Sequence, residues 1–425
     1  MRVLVAMLGA RRRYLVPEVM EEIGALACFV TDFFVGNGGL TQTALLLLGR
    51  TLRMPGFRAL AGRSSSRIAP EHVVALRWLG LRYALARRFG HAADARLFAS
   101  VNRRFCRRAA ARLHAADICW AYNGAALELF ETARRRGMRC VLEQVIAPRR
   151  DELRELALAR QDWPQWAAGA DPASTSSDPL AEREQAEWRL ADILVAGSRY
   201  VRDCLEESGV PKRRCHVVPS AIDLELFTVA ADRGHGGPLR VLFVGQINLR
   251  KGAPYLLEAV RRLDSRQIRL RMIGAVQARR ECAAAFAPWA EFPGPVPPAE
   301  IASQYQWADV VIVPSICEGS AMVTYEARGC GVPIIVTPNA GASFSPGVDG
   351  LEIPVRDAAA IARTLDRMAG DRHEVRALRE GAIAKRASLG RDAYRDRIRQ
   401  VLEAIGGSPP PNLRAAAPVG ETQKS

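Results

Sequence analysis

Short apolar runs alternate with longer helical patterns along almost the whole chain, and this alternation constrains the fold more than any other feature. Strands that alternate with helices predict parallel sheets with helices packed on both faces. The strand-like runs cover residues 2–7, 27–31, 117–122, 139–144, 192–196, 216–219, 240–244, 268–273, 309–313 and 333–337. The clearest helical patterns cover residues 92–116, 125–136, 255–263, 358–370, 374–389 and 391–405. The sequence therefore predicts an α/β protein.

A break in this pattern divides the chain. The length of 425 residues favours two or three domains, and a cluster of Gly, Asp and Pro at 230–238 is typical of a linker. We therefore predict one doubly wound domain over residues 1–229 and a second over 239–389. A closing helix is expected over 390–405. The Pro-rich, polar stretch 406–425 is expected to be disordered.

Positive charge is concentrated in the first part of the chain. The formal net charge is +15, and residues 1–180 contain 27 Arg against 16 Asp and Glu, a net charge of +11. This asymmetry indicates either an anionic partner, such as a phospholipid surface or a phosphorylated substrate, or an Arg-rich composition with solvated helix faces. The sequence leaves both interpretations open. It contains no motif for reading nucleic acid, so nucleic acid is not an expected partner.

Several classes of protein are excluded by what the sequence lacks. Three arginines at 11–13 follow the first apolar run instead of preceding it, which argues against a secretory signal. The most apolar window, 23–49, is interrupted by Asp32 and Asn37, so a membrane-spanning helix is not expected. Nine cysteines without a Cys-x-x-Cys pair, together with scattered histidines, predict a cytoplasmic protein with reduced thiols and with neither a metal site nor a bound cofactor.

Residues 310–336 have the pattern of a strand–helix junction that binds a ligand. An apolar strand is followed by Glu318 and then by a helix that begins near residue 321 and carries Glu326. Ligands bind where strands end in open α/β sheets, and the free N–H groups at a helix start suit a phosphate. Glu318 can accept hydrogen bonds from sugar hydroxyls, and Glu326 can hold a ribose diol. The expected phosphate donors are the amides around Ser320, Ala321, Met322 and Val323.

A second stretch, 241–252, ends a buried strand at Gly245 and continues into a loop that contains Gln246, Arg250 and Lys251. Two cations on a loop at the carboxyl end of a strand can neutralise a diphosphate. Both stretches lie at the carboxyl ends of strands in one predicted sheet, so we expect them to face one crevice. Taken alone, the first stretch also fits two solvated glutamates, with Glu326 on a helix surface, and the second fits a basic surface loop. It is their convergence that favours a binding site.

These stretches resemble the retaining glycosyltransferases of family four, which have the GT-B fold. The resemblance rests on the spacing Glu318-x7-Glu326, on the strand–Gly-x5-Lys-Gly element that ends at Gly252, and on residues 217–227 before the linker. It covers residues 190–355. It implies two Rossmann-like domains that face a central cleft, with the last helix returning to the first domain. It also implies metal-independent transfer of a sugar, with retention, from a nucleotide-diphosphate donor to a glycan, lipid-linked or small-molecule acceptor.

The resemblance further implies roles for individual residues. Glu318 would hold the donor sugar, Glu326 the ribose, and Lys251 the diphosphate with help from Arg250. We therefore expect Glu318, Lys251 and Arg250 to be the catalytic residues. The remaining donor-binding residues are expected to be Gly245, Gln246, Gly319, Ser320, Ala321, Met322 and Val323.

The sequence also departs from the family pattern. Gln246 stands where many relatives have an Arg, and Arg250 is expected to supply the missing charge. The first domain resembles the family in architecture alone. Its expected acceptor-side residues are Arg12, Arg13, Tyr14 and Glu143. A lipid-linked acceptor would place the protein at the inner face of the membrane, docked through its basic first domain.

Two other functions fit the same residues. One is a sugar-nucleotide epimerase or hydrolase with the GT-B fold, which would bind the donor without a separate acceptor. The other is a non-catalytic protein that binds nucleotide-sugars. The sequence does not specify the sugar, the nucleotide, the acceptor or the oligomeric state.

Overall fold

The protein is represented by a computed structural model, which describes residues 1–36, 42–44, 47, 60–80, 95–167, 178–229, 231, 236–263 and 266–407. These residues form two parallel β-sheets covered by α-helices, as the alternating pattern predicts. The first sheet contains β1 (Val3–Met7), β2 (Leu26–Thr31), β3 (Val73–Ala75), β4 (Ile118–Tyr122), β5 (Arg139–Gln144), β6 (Ile193–Ala196) and β7 (Cys215–Val217). The second contains β8 (Leu239–Val244), β9 (Ile268–Ile273), β10 (Ala290–Gly294), β11 (Val310–Val313), β12 (Ile334–Val336) and β13 (Gly350–Glu352).

Helices follow the strands in both halves. The first half contains α1 (Leu15–Glu22), α2 (Ala95–Ala110), α3 (Leu127–Arg135), α4 (Arg149–Asp162), α5 (Pro179–Leu190) and α6 (Arg199–Glu207). The second contains α7 (Ala253–Leu263), α8 (Arg280–Ala284), α9 (Ile301–Trp307), α10 (Met322–Gly329), α11 (Ala358–Gly370), α12 (Arg372–Ala384) and α13 (Arg391–Gly407). Polar side chains define several helix starts: Asp178 caps α5, Ser198 caps α6 and Asp357 caps α11.

The strand order places a crevice in each sheet. The first sheet has the order β3-β2-β1-β4-β5-β6-β7, and the second has the order β10-β9-β8-β11-β12-β13. The direction of winding reverses between β1 and β4 in the first sheet and between β8 and β11 in the second. Ligands of open α/β sheets bind outside the carboxyl ends of the strands at such a reversal. The loops that follow β8 and β11 are the ones that carry Arg250 and Glu318.

The last helix, α13, returns from the second half of the chain to the first sheet. Its buried side chains Tyr394, Ile398 and Val401 belong to the same apolar cluster as Val3 and Met7 of β1. Arg391, at the start of α13, forms ion pairs with two glutamates of α1. The predicted return of the closing helix is therefore confirmed.

The two halves also meet at the end of α4. The Tyr255 hydroxyl on α7 donates to Asp162 Oδ2 at 2.6 Å. The ring of Trp163 meets the Tyr255 ring edge-on, with centroids 5.9 Å apart. Trp166 is buried in the apolar cluster formed mainly by the second half of the chain. Through this hydrogen bond and these packing contacts, the end of α4 connects the first half of the chain to the second.

The observed elements differ from the predictions mainly at the sheet edges. Strands β3, β10 and β13 are not predicted. β3 and β13 have three residues each, and β10 contains Pro293, so none has the apolar run of a buried central strand. The predicted helix over 374–389 is divided into α12 and a 3₁₀ turn, Arg386–Leu389. The predicted tail beyond residue 407 and most of the predicted linker lie outside the described residues.

No helix in the described part of the chain combines the length and the apolar character that crossing a bilayer requires.

Candidate active site

The loops after β8 and β11 pack against each other at the carboxyl edge of the second sheet. The amide of Ile316 donates to the carbonyl of Arg250 at 2.8 Å. Gly252 has a φ of +71°, and a Cβ atom at this position would lie 1.9 Å from the Pro314 carbonyl oxygen. The glycine therefore allows the close approach that brings residues 246–252 beside residues 314–321.

Glu318 pairs with both cations of the neighbouring loop. Its Oε1 lies 2.6 Å from Arg250 Nη1 and 2.7 Å from Lys251 Nζ. Arg250 Nη1 also donates to the Cys317 carbonyl at 3.1 Å. All three side chains are partly buried, and Glu318 is 13% exposed. The structure thus brings together the three residues expected to be catalytic, and because one carboxylate opposes two cations, this cation cluster (Arg250, Lys251, Glu318) has an excess positive charge.

The start of α10 offers a group of unpaired amides beside the cation cluster. Within the described part of the chain, no hydrogen-bond acceptor faces the backbone N–H groups of Gly319, Ser320, Met322 and Val323. No described side chain caps the helix either. The amide of Ala321 is different, because it donates to the Ala340 carbonyl at 3.1 Å. The expectation that Ala321 supplies a phosphate donor is therefore wrong, whereas the other four amides have no acceptor among the described residues, which is the state of the N–H groups that bind an anion at a helix start.

Glu326 lies four residues into α10 and faces α9. Its Oε2 accepts a hydrogen bond from the Tyr305 hydroxyl at 2.6 Å. Burial raises the pKa of Glu326, and this effect outweighs the opposing influence of the Tyr305 hydrogen bond and of the Arg13 guanidinium. This hydrogen bond orients the Glu326 carboxylate. It uses Oε2 alone, so Oε1 can still accept a hydrogen bond from a diol.

Gly245 and Gln246 lie on the other wall of the crevice. Gly245 has a φ of +144°, and the position of a Cβ atom there is 3.7 Å from Lys251 Cε, so the Lys251 side chain passes directly over this glycine. Gln246 is exposed, and its Oε1 accepts from Asn248 Nδ2 at 3.5 Å. Asn248 Oδ1 in turn accepts from the Lys251 amide at 3.0 Å, which orders the loop.

The first half of the chain closes over this site. A Cβ atom on Gly319 would lie 1.7 Å from the carbonyl oxygen of Val145, which follows β5. Ser198 Oγ, which follows β6, donates to the Gly319 carbonyl at 2.5 Å. The carboxyl edges of both sheets therefore face one another, with Gly319 at the point of contact.

Two of the expected acceptor-side residues are buried instead. Glu143 is fully buried, 3.1 Å from Arg12 Nη1, and accepts from Trp120 Nε1 at 3.3 Å. Tyr14 is 1% exposed and packs against Phe29 in the core. The expectation that Tyr14 and Glu143 contact an acceptor is therefore wrong, because both side chains are buried. A position near the end of a strand does not determine whether its side chain faces the cleft or the core.

Arg12 and Arg13 remain in the cleft. Arg12 is 11% exposed, and burial alone would lower its pKa, but the neighbouring Glu143 carboxylate raises the pKa above its usual value. Arg13 is exposed. Arg12 is therefore a fixed, permanently charged group, and Arg13 is a solvent-facing one.

A cavity of about 800 Å³ lies away from the cation cluster, at the edge of the first sheet. It is lined by residues near the ends of β2 and β3, including Phe34, Ile68, Arg77 and Trp78, and by Arg108 of α2. Trp78 is 81% exposed. Among the described residues, no group of three or more His, Cys, Asp and Glu side chains is arranged to hold a metal ion.

Sequence reasoning missed two residues of the site. Ser198 follows the predicted strand over 192–196. Its place at the carboxyl end of a strand could have identified it as a candidate residue of the site. Tyr305 has no such signal, because it lies inside a helix and reaches Glu326 only through the packing of α9 against α10.

Comparison with known protein families matches residues 238–371 to the model described as Glycosyl transferases group 1. A D-inositol 3-phosphate glycosyltransferase from Pseudarthrobacter chlorophenolicus is 30% identical over 183 residues, which are 38% of this chain and 44% of the relative. A putative colanic acid biosynthesis glycosyltransferase from Salmonella typhimurium, WcaL, is 26% identical over 193 residues, 42% of this chain and 48% of the relative. The chain thus spans about half the length of these curated relatives.

Solved structures match the whole fold. Anabaena HepE in complex with UDP superposes with a TM-score of 0.62 at 14% identity, over 95% of this chain and 100% of that one. Sucrose-phosphate synthase from Thermosynechococcus elongatus superposes with a TM-score of 0.63 at 16% identity, over 95% of this chain and 98% of that one. The chain therefore has the two-domain GT-B fold.

Proposed function

We propose that this protein is a retaining glycosyltransferase that moves a sugar from a nucleotide-diphosphate donor to a glycan, lipid-linked or small-molecule acceptor. The observation that carries the proposal is the cation cluster beside the unpaired amides at the start of α10, in a cleft between two domains. The family model over the second domain, the relatives named glycosyltransferases and the UDP bound by Anabaena HepE support it.

The chemistry assigned to the cleft is stabilisation of a leaving diphosphate. When the bond between the sugar and the diphosphate breaks, negative charge accumulates on the phosphate oxygens. Preorganised cations and amides in a partly buried site stabilise this charge more in the transition state than in the ground state. Lys251, Arg250 and the amides of residues 319, 320, 322 and 323 would do so here without a metal ion.

Glu318 takes a second role in this proposal. A bound diphosphate competes with Glu318 for Arg250 and Lys251, because both anions require the same two cations. Once released from them, the Glu318 carboxylate can accept hydrogen bonds from the donor sugar's hydroxyls. Glu326, oriented by Tyr305, would accept from the ribose. Retention follows if the leaving diphosphate assists deprotonation of the acceptor on the face that it leaves.

We also propose a cytoplasmic location with docking at the inner membrane face. Exposed arginines on α2, at positions 104, 107 and 108, lie on the same domain as the exposed Trp78. Such a surface suits the anionic headgroups beside a lipid-linked acceptor.

The decisive assay incubates the protein with a panel of nucleotide-sugars and measures released nucleotide with and without acceptor preparations. Glycosyl transfer predicts release that depends on acceptor, that persists in EDTA and that is lost in Glu318→Ala. Equal release without acceptor would instead support a hydrolase, and isomerised donor without release would support an epimerase. Donor binding without any turnover would support a non-catalytic protein.

A further inference from the structure

The loop after β1 has a backbone conformation that L-residues rarely adopt. It forms a 3₁₀ turn, Arg11–Tyr14, which we call the basic turn. Within it, Arg12, Arg13 and Tyr14 have φ angles of 46°, 50° and 66°. Three consecutive residues in the left-handed region persist only where the surrounding contacts hold them, and such backbone concentrates at functional sites.

The basic turn is held on both sides of Arg13. Arg12 Nη1 lies 3.1 Å from the buried Glu143 carboxylate, and Tyr394 of α13 packs beside it. The Tyr14 hydroxyl donates to the Phe33 carbonyl at 3.2 Å from within the aromatic cluster of the core. The contacts of its two neighbours therefore fix the backbone position of Arg13.

The basic turn borders the start of α10 across the cleft. Both sides meet at Gly197, which follows β6. A Cβ atom on this glycine would lie 2.7 Å from Arg12 Nη2 and 3.0 Å from Ser320 Cβ. Ser320 is one of the residues whose amide has no partner among the described residues. The Arg12 guanidinium of the first domain therefore packs beside Ser320, at the start of α10 in the second domain.

Arg13 is the exposed cation of the basic turn. Its side chain is exposed and forms neither a hydrogen bond nor an ion pair with any residue that the structure describes. Its charge nevertheless acts on Glu326: burial raises the pKa of that carboxyl, and Arg13 opposes the rise. Arg13 of the first domain thus lies within electrostatic reach of the glutamate assigned to the ribose.

The second domain alone is short of positive charge for a diphosphate. Arg250 and Lys251 share Glu318, and Gln246 is neutral. We propose that the basic turn completes the diphosphate site from the first domain, with Arg13 contacting the diphosphate and Arg12 as the residue that positions it. This inference rests on the proposed function and assigns both arginines to the donor instead of the acceptor.

Calorimetry with nucleoside diphosphates and with the matching nucleosides tests the contact. Arg13→Ala should weaken diphosphate affinity about tenfold or more, because a charge-assisted hydrogen bond is lost, and should leave nucleoside affinity unchanged. Arg13→Lys should recover part of the loss. The control is Arg376→Ala, which removes an exposed arginine of α12 and should change neither affinity.

A double-mutant cycle tests the positioning by Arg12. Glu143→Gln removes the charge that holds Arg12, so it should weaken diphosphate affinity in the wild-type background and have little effect in Arg13→Ala. Equal effects in both backgrounds would overturn the positioning role. Melting temperatures identify any variant whose loss of affinity follows from unfolding.

The outcomes separate this inference from the proposed function. If the wild-type protein binds no nucleoside diphosphate of the panel, the proposed function fails. If it binds one and Arg13→Ala binds it equally well, the basic turn is not part of the diphosphate site, and the proposed function stands.

Discussion

Glu318 is the residue whose replacement separates binding from transfer most clearly. It pairs with both cations of the cluster, so a diphosphate must compete with its carboxylate. Glu318→Gln removes the competing charge and should raise nucleoside diphosphate affinity by up to about tenfold, while sugar transfer is lost. Titration calorimetry and the transfer assay measure the two effects.

The matched control for this variant is Glu300→Gln, at an exposed carboxylate outside the cleft. It should change neither affinity nor transfer. A fall in diphosphate affinity in Glu318→Gln would contradict the competition between the carboxylate and the diphosphate.

Glu326 makes a different prediction, because it is assigned to the ribose and not to the phosphates. Glu326→Ala should weaken the binding of nucleoside and nucleoside diphosphate by similar factors, about fivefold to tenfold each. Tyr305→Phe, which removes only the orienting hydrogen bond, should have a smaller effect of the same kind. Calorimetry that finds unchanged nucleoside affinity in Glu326→Ala would refute the ribose assignment.

Among the strands of the described residues, the interior ones were predictable, whereas of the four edge strands only β7 was, as the run 216–219. β5 and β9 have the predicted bounds, since each is an interior strand with at least four of its six residues buried. β3 and β13 lie at sheet edges, where three residues of mixed character are enough. The same holds for the site. The loops after β8 and β11 were predictable because each follows a strand that the sequence predicts. The direction of a single side chain, such as that of Tyr14 or Glu143, depends on packing between elements far apart in the sequence.

The junction of α3 and α5 carries a prediction about pH. Glu187 accepts hydrogen bonds from the amides of Gly124, Ala126 and Leu127 at the start of α3. Burial raises the pKa of Glu187 from 4.5 to about 7 against these bonds and the Arg183 charge. The folded state therefore binds this proton more tightly than the unfolded state, so Glu187's contribution to stability grows as pH falls from about 7 towards 4.5.

Urea denaturation at several pH values measures this contribution. Glu187→Gln should lose stability at all pH values because it disturbs the helix cap, and its pH slope between about 4.5 and 7 should differ from wild type by up to about 1.4 kcal/mol per pH unit. Glu182→Gln, an exposed change on the same helix, should keep the wild-type slope. Parallel slopes for wild type and Glu187→Gln would rule out the raised pKa.

For the whole molecule, the uneven charge predicts behaviour at membranes. Residues 1–180 have a net charge of +11, and each arginine near an anionic surface contributes on the order of 1 kcal/mol, screened by salt within about 10 Å. The protein should therefore co-sediment with anionic vesicles at low salt and be released by added salt. It should bind neutral vesicles little.

A pair of double variants localises this effect. Replacing Arg104 and Arg107 of α2 with serine should reduce vesicle binding several-fold. The same replacement of Arg363 and Arg376, two exposed arginines of the second domain, should leave it unchanged. Equal recovery of wild-type protein in the supernatant with anionic and neutral vesicles would mean that the arginines are a solvated face, and a soluble acceptor would then be favoured.

The central claim is that the cleft between the two domains is a diphosphate site built on Arg250 and Lys251. Calorimetric titration of wild type and of the Arg250→Ala/Lys251→Ala double variant, with a nucleoside diphosphate and with its nucleoside, tests it most directly. The account predicts that the double variant loses diphosphate affinity by about a hundredfold or more and keeps nucleoside affinity within about twofold. Equal loss of both ligands, or diphosphate affinity equal to that of the wild type, would contradict it.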